Sequence, residues 1–188
     1  MSYPLLIVVD MQNDFISGSL GTPEARAIVP RIVSKIKAAE KAYFTMDVHF
    51  DDYLDTAEGK ALPIPHCISK TEGCLQPPEI ATACSEPDKS IGFCKNTFGS
   101  THLMQRIGAL ARNKKLESIE FVGVCTDICV ITNVLMAKTI APEVPIFVDA
   151  SCCAGTTPER HRAALDVMKS CQIQIINEEV SNHDQAEQ

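Results

Sequence analysis

Pro4-Leu5-Leu6-Ile7-Val8-Val9 is an unbroken apolar run that stops at Asp10. A strand with apolar side chains on both faces has to be covered on both faces, as in a parallel sheet flanked by helices. Similar short runs recur at Lys41 to Met46, Ser90 to Cys94, Ser118 to Val124, Pro145 to Val148 and Gln172 to Ile176. Helical patterns fall between them. Thr22-Pro23-Glu24 is a helix start, with a threonine N-cap, a proline at the first helical position and an acid in the first turn. Ala25, Ile28, Val29, Ile32, Val33 and Ile36 then keep helical spacing on one face. Pro30 should kink that helix or mark its true start. Leu103, Met104, Ile107, Leu110 and Ala111 form an amphipathic helix within Thr97 to Asn113, and another helix is expected over Asp127 to Ile140. Thr157-Pro158-Glu159 repeats the start signal for a helix running to about Ser170, and a short one is expected near Pro78 to Cys84.

Strands alternating with helices predict an α/β fold: a single-domain three-layer sandwich, with a six-stranded parallel sheet and helices on both faces. The 188 residues suffice for one domain with a sizeable core. The domain is expected to span residues 1–188, with a tail from about 178 that packs loosely. The stretch from Phe50 to Lys89 lacks a long periodic pattern and carries Pro63, Pro65, Pro77, Pro78 and Pro87. A connection that long in a compact domain is usually functional.

Composition removes several function classes. A net charge of −7 argues against nucleic-acid binding as the main task. No apolar run approaches the ~20 residues a membrane span needs. Asp10 interrupts the first apolar run, so the start does not read as a signal peptide. Nine cysteines is an odd number, and without an export signal a cytoplasmic protein with mostly buried thiols is expected.

The residues with chemistry fall at the carboxyl ends of the expected strands, where sites form in such folds. Asp10 would be partly desolvated, which raises its pKa and suits a proton acceptor; a capping carboxylate reads equally well. Lys95 could hold a carboxylate charged and favour a thiolate, or be a solvated lysine. Cys129 lies in the opening turn of a helix after Gly123 and Val124, where the helix dipole favours thiolate, so a nucleophile is expected there. Cys125, at the strand-to-helix turn, could offer its backbone N–H to an oxyanion, with the N–H of Cys129 beside it. Asp47-x-His49 with His66 is a candidate metal set, which Glu58, or its rivals Asp51 and Asp52, could complete; ordinary loop polarity is the alternative. His102, His161 and His183 read as structural or exposed.

Together these residues resemble the isochorismatase-like cysteine hydrolases, and among them the nicotinamidases. The likeness extends to about Glu178. It rests on Val9-Asp10-Met11-Gln12-Asn13-Asp14-Phe15, Asp47-Val48-His49, Pro65-His66-Cys67, Lys95-Asn96-Thr97-Phe98 and Gly123-Val124-Cys125-Thr126-Asp127-Ile128-Cys129-Val130. The resemblance implies an Asp10–Lys95–Cys129 triad that breaks a carbon–nitrogen bond through a thioester. It implies an oxyanion hole from the N–H groups of Cys125 and Cys129, and a cis peptide between Val124 and Cys125. It also implies a divalent metal, Zn2+ first with Fe2+ or Mn2+ as alternatives, held by Asp47, His49, His66 and Glu58. Phe15, Leu20 and Tyr53 would contact a small-molecule amide substrate. The chain departs from many nicotinamidases in having no tryptophan and in placing Ile128 where an aromatic usually precedes the nucleophile.

The leading expectation is hydrolysis of nicotinamide to nicotinate and ammonia in NAD salvage, by a cytoplasmic homo-oligomer. The alternatives are a same-fold amidohydrolase acting on another small amide, ureido or carbamoyl compound, and a non-catalytic thiol protein.

Overall fold

The computed structural model describes residues 1–86 and 88–178. The expectation of a loose tail falls almost entirely on residues 179–188, outside the described residues, as does His183. Six strands, β1 (Tyr3–Val9), β2 (Lys41–Asp47), β3 (Ser90–Lys95), β4 (Leu116–Val124), β5 (Ile146–Ala154) and β6 (Gln174–Ile176), form one sheet in the order β3-β2-β1-β4-β5-β6. Every pairing is parallel.

Strand alternation separates two cores. Leu5, Ile7 and Val9 point to one face, where they meet α5 (Thr101–Arg112), α6 (Ile131–Ile140) and α7 (Pro158–Ser170). Leu6 and Val8 point to the other, under α1 (Asn13–Ile16), α2 (Pro23–Ala38) and α4 (Pro78–Ala83). This is the three-layer sandwich expected from the apolar runs, and β1, buried on both sides, is its axis.

Helix α2 starts where its signals place it, with the Thr22 hydroxyl accepting from Ala25 N at 3.0 Å. Pro30 neither starts nor ends this helix, which runs through it to Ala38. Pro30 is on the exposed face, so water can serve the carbonyl that loses its partner. Three other expectations change. Residues 126–130 form a π turn before α6, instead of the first turn of an α-helix. Residues 13–16 are helical where a loop is expected. β5 continues to Ala154, past an irregularity where its pairing with β4 jumps from Phe121–Val148 to Gly123–Cys153. The 50–89 stretch holds short helical turns, among them α3 (Ala57–Ala61).

The chain lays down β1, β2 and β3 outward to one edge, then crosses back to place β4 on the other side of β1. Neighbouring loops therefore part at the carboxyl ends of β1 and β4, the switch point where open α/β sheets hold ligands. Gly123 has φ +119°, and a Cβ there would lie 2.2 Å from the Val9 carbonyl oxygen, so only glycine lets β4 close on β1 at this level. The next peptide, Val124–Cys125, is cis.

Candidate active site

Asp10 follows the last buried residue of β1 and turns the chain with φ +49°, a left-handed conformation uncommon for a side-chain-bearing residue. It is fully buried. Its Oδ1 accepts from the Thr45 hydroxyl at 2.7 Å. Its Oδ2 lies 2.6 Å from Lys95 Nζ, but among the described residues no donor meets Oδ2 in hydrogen-bond geometry.

Lys95 ends β3 in register with Asp47 at the end of β2. Its ammonium stands between three groups: Asp10 at 2.6 Å, Asp47 Oδ1 at 3.4 Å and Cys129 Sγ at 3.6 Å. Burial alone would discharge Lys95, but Asp10, Cys129 and Asp47 outweigh it and push its pKa up. Burial pushes the Asp10 carboxyl up against the opposing pull of Lys95. Burial, reinforced by Asp10, also pushes the Cys129 thiol well up, with Lys95 opposing. Burial thus opposes the thiolate that a helix start favours, and the Lys95 ammonium is the charge that works for it. Burial and Asp127 push the Cys125 thiol up to about 12, and it is the Cys129 sulfur that stands 3.6 Å from the Lys95 ammonium.

The turn carrying Cys129 is held by side chains that the sequence reading gave no role. Fully buried Asn133 donates from Nδ2 to the carbonyls of Cys129 (2.8 Å) and Phe98 (3.1 Å), and its Oδ1 accepts from Ser100 N (2.9 Å). Thr126 Oγ1 meets His161 Nδ1 at 2.8 Å, so His161 is structural, as expected, at this turn.

Beside the thiol lies a second cluster. The carboxylates of Asp47 and Glu58 and the imidazoles of His49 and His66 bring one ligand atom each to within 4.8 Å of one another. His49 Nε2 is 3.0 Å and His66 Nε2 is 3.5 Å from Asp47 Oδ2, and both lie 3.8 Å from Glu58 Oε1. Asp51 and Asp52 are exposed and lie outside this set. His66 Nδ1 is tied to the Ile64 carbonyl at 2.9 Å, which makes Nδ1 the protonated nitrogen and turns the Nε2 lone pair to the centre. Two imidazoles and two carboxylates converging this way suit a divalent zinc, iron or manganese ion. Burial would raise the Asp47 carboxyl, but His49, His66 and Lys95 hold it well below the usual carboxylate range.

Gln12 builds this corner and has no role in the sequence reading. It is fully buried. Its Nε2 donates to the carbonyls of Asp47 (2.7 Å) and Cys74 (2.9 Å), and its Oε1 accepts from Asp47 N (2.7 Å). The Asp14 carboxylate accepts from Cys67 N at 2.7 Å and so fixes the loop after His66. Both belong to the motif that follows Asp10, but their task depends on partners far away in the chain.

A cavity of about 480 Å³ joins the two clusters; Cys129, Asp47, Glu58 and His66 lie on its wall. Phe15 and Leu20 line it, as expected for substrate contacts. Tyr53 does not. It is buried behind the imidazoles, with ring centroids 4.8 Å from His49 and 5.0 Å from His66, and its hydroxyl is spent on the Leu62 carbonyl. Phe98, half-exposed on the loop after Lys95, supplies an aromatic wall to the cavity.

The isochorismatase domain profile matches residues 4–180. Relatives include a nicotinamidase/pyrazinamidase of Mycobacterium tuberculosis, 25% identical over 182 residues, covering 91% of this chain and 97% of that protein. A nicotinamidase of Schizosaccharomyces pombe is 24% identical over 209 residues, covering 94% of each. Among solved structures, a pyrazinamidase of Pyrococcus horikoshii in complex with zinc superposes with a TM-score of 0.75 at 26% identity, over 93% of this chain and 98% of that one. A nicotinamidase of Bacillus subtilis gives 0.77 at 26% identity, over 92% and 98%. No helix of the described residues is long and apolar enough to cross a membrane.

Proposed function

The chain belongs to the isochorismatase domain family, and from that premise we propose that it is a cysteine amidase that hydrolyses nicotinamide to nicotinate and ammonia. The observation that carries this reading is the single ammonium of Lys95, in reach of Asp10, Asp47 and Cys129. It couples a buried proton acceptor to a nucleophile and a metal-ligand cluster that lie on one cavity wall. The relatives named above are nicotinamidases or pyrazinamidases, which supports a pyridine-type carboxamide as substrate.

Asp10 takes the proton of the Cys129 thiol. Burial raises the Asp10 carboxyl, which suits it to accept a proton. Lys95 balances the charge as it moves from carboxylate to sulfur. The thiolate attacks the amide carbonyl, and the N–H groups of Cys125 and Cys129 face the developing oxyanion. Protonated Asp10 returns its proton to the leaving ammonia, and the thioester on Cys129 is then hydrolysed by water activated by the same carboxylate. Phe15, Leu20 and Phe98 sandwich the ring and exclude water. Asp47, His49, His66 and Glu58 would hold a divalent metal, zinc in the first instance, which would supply a Lewis-acid anchor for the ring nitrogen. Nicotinate made this way would feed NAD salvage in the cytoplasm.

Ammonia release from nicotinamide and pyrazinamide, with and without chelator, tests the reading. Turnover that is lost on chelation and restored by zinc is expected. No release from either amide would overturn it.

A further inference from the structure

The metal-ligand cluster lines two cavities, and hydrolysis of an amide beside Cys129 uses one of them. Asp47, Glu58 and His66 line the thiol cavity. His49 and Glu58 line a second cavity of about 630 Å³, walled by the loop after β2, by α3 and by the loop after Lys95. Glu58, Ala61 and Phe98 are common to both, so Glu58 is the one ligand of the four that touches both spaces. It is also the most exposed of them: 23% of its side chain is accessible, against 6% for Asp47 and His49 and 2% for His66.

The two spaces differ in charge and chemistry. Asp52 and Glu58 are both acidic and lie on the second wall, with the oxygen-bearing side chains of Thr56, Asn96 and Thr97 beside them. Among the described residues no lysine or arginine lines this cavity. A cleft lined by one sign of charge concentrates the opposite ion and speeds its arrival. A divalent cation travels with water attached, and this cavity has room for several waters at about 30 Å³ each. The thiol cavity opposes the same ion. Arg160 is on its wall, and Phe15, Leu20, Leu62 and Ile128 make it apolar. The Lys95 ammonium lies 3.4 Å from Asp47 Oδ1 and 3.6 Å from Cys129 Sγ. An ion arriving by that path would meet this ammonium and the Cys129 sulfur, a ligand type that zinc readily takes.

We propose that the second cavity is the entrance by which a divalent cation reaches and leaves the cluster, and that Glu58 receives the ion there, with exposed Asp52 drawing it in. Metal loading is then separated from the path of the substrate and from the nucleophile. The inference rests on the reading that Asp47, His49, His66 and Glu58 hold the metal. Asp52 acts on the rate of capture and is not a ligand.

The test measures zinc exchange with the full chain, with no turnover involved. Capture by chelator-stripped protein is followed by stopped-flow competition with a fluorescent chelator. Release is followed from zinc-loaded protein into excess chelator. Asp52→Lys reverses a charge and should slow capture about 10-fold, with a weaker dependence on salt. Ala57→Trp and Asn96→Trp narrow the second cavity. Each should slow capture and release by a similar factor and leave the equilibrium affinity unchanged, a paired change that damage to the ligand cluster would not give. Leu20→Trp narrows the thiol cavity and should leave both rates unaltered. Unaltered exchange in Asp52→Lys, Ala57→Trp and Asn96→Trp would overturn the proposal, as would slowed exchange in Leu20→Trp. Tight zinc binding with exchange indifferent to the second cavity refutes the entrance alone, whereas absence of zinc binding refutes the metal site with it. Ammonia release from nicotinamide by the unaltered protein reports separately on the proposed function.

Discussion

Replacing Gln12 should damage the metal corner and the fold together, by an amount that follows from its three hydrogen bonds. Gln12→Met keeps the length and volume of the side chain while removing both polar atoms. It orphans Asp47 N–H and the Cys74 carbonyl in a buried setting, and leaves the Asp47 carbonyl with only a 3.7 Å contact from Cys74 Sγ. Each group left without a partner costs about 1 kcal/mol or more, so a loss of about 2 kcal/mol or more is expected. Asp47 is held by its own backbone through this amide, so its carboxylate loses its fixed direction toward His49 and His66. Loss of such a supporting group typically costs about 10- to 100-fold in metal affinity. Urea unfolding followed by circular dichroism, with chelator present so that metal binding does not contribute, gives the first quantity. Competition with a chromogenic chelator gives the second. If Gln12→Met unfolds within about 0.5 kcal/mol of the unaltered protein and binds zinc as tightly, the assignment of Gln12 as the brace of Asp47 is wrong.

Other consequences follow from the same geometry. Lys95→Met removes the counter-charge of Asp10 and should lower turnover by roughly 10²–10⁴-fold, read as ammonia release; normal turnover would remove Lys95 from the triad. Asp10 has to be ionised to accept a proton, and burial raises its pKa. Activity should therefore be present above that raised value and lost as pH falls through it, giving an acid limb in kcat/KM above the ordinary carboxylate value of about 3.9; a limb at or below that value would contradict the burial argument. Gly123→Ala would set a Cβ 2.2 Å from the Val9 carbonyl oxygen at a φ of +119°, so thermal unfolding should show a lower midpoint than for an alanine at Gly92, where a Cβ meets no atom within 4 Å.

The apolar runs fix the strands well because burial on both faces leaves little freedom in residue type. The polar residue that ends each run then falls at the carboxyl edge of the sheet without further information. Asp10, Asp47, Lys95 and Cys129 could be read in this way. The structure brings Asp10, Lys95 and Cys129 together, and sets Asp47, His49, Glu58 and His66 in one cluster. What escapes the sequence is set by tertiary contact. Gln12 and Asn133 look like ordinary polar residues until their partners, 35 or more residues away for Gln12 and 33 and 4 away for Asn133, close around them. The π turn at residues 126–130 has no local signature, because its apolar spacing also fits an α-helix. Tyr53 is expected to meet substrate only through the family resemblance. The return of residues 56–66 instead buries it behind the two imidazoles. The setting of the thiol also depends on tertiary structure: a helix start argues for thiolate, and burial beside Asp10 works against it.

The central claim is that Cys129 carries the acyl group. Rapid mixing of the zinc-loaded protein with nicotinamide, acid quench and peptide mass spectrometry tests it directly. A mass increase equal to one nicotinoyl group is predicted on the peptide containing Cys129, labile to hydroxylamine, and absent from Cys129→Ala protein that still binds zinc. Ammonia release by that Cys129→Ala protein at the unaltered rate, or a nicotinoyl group on any other residue, would contradict the account.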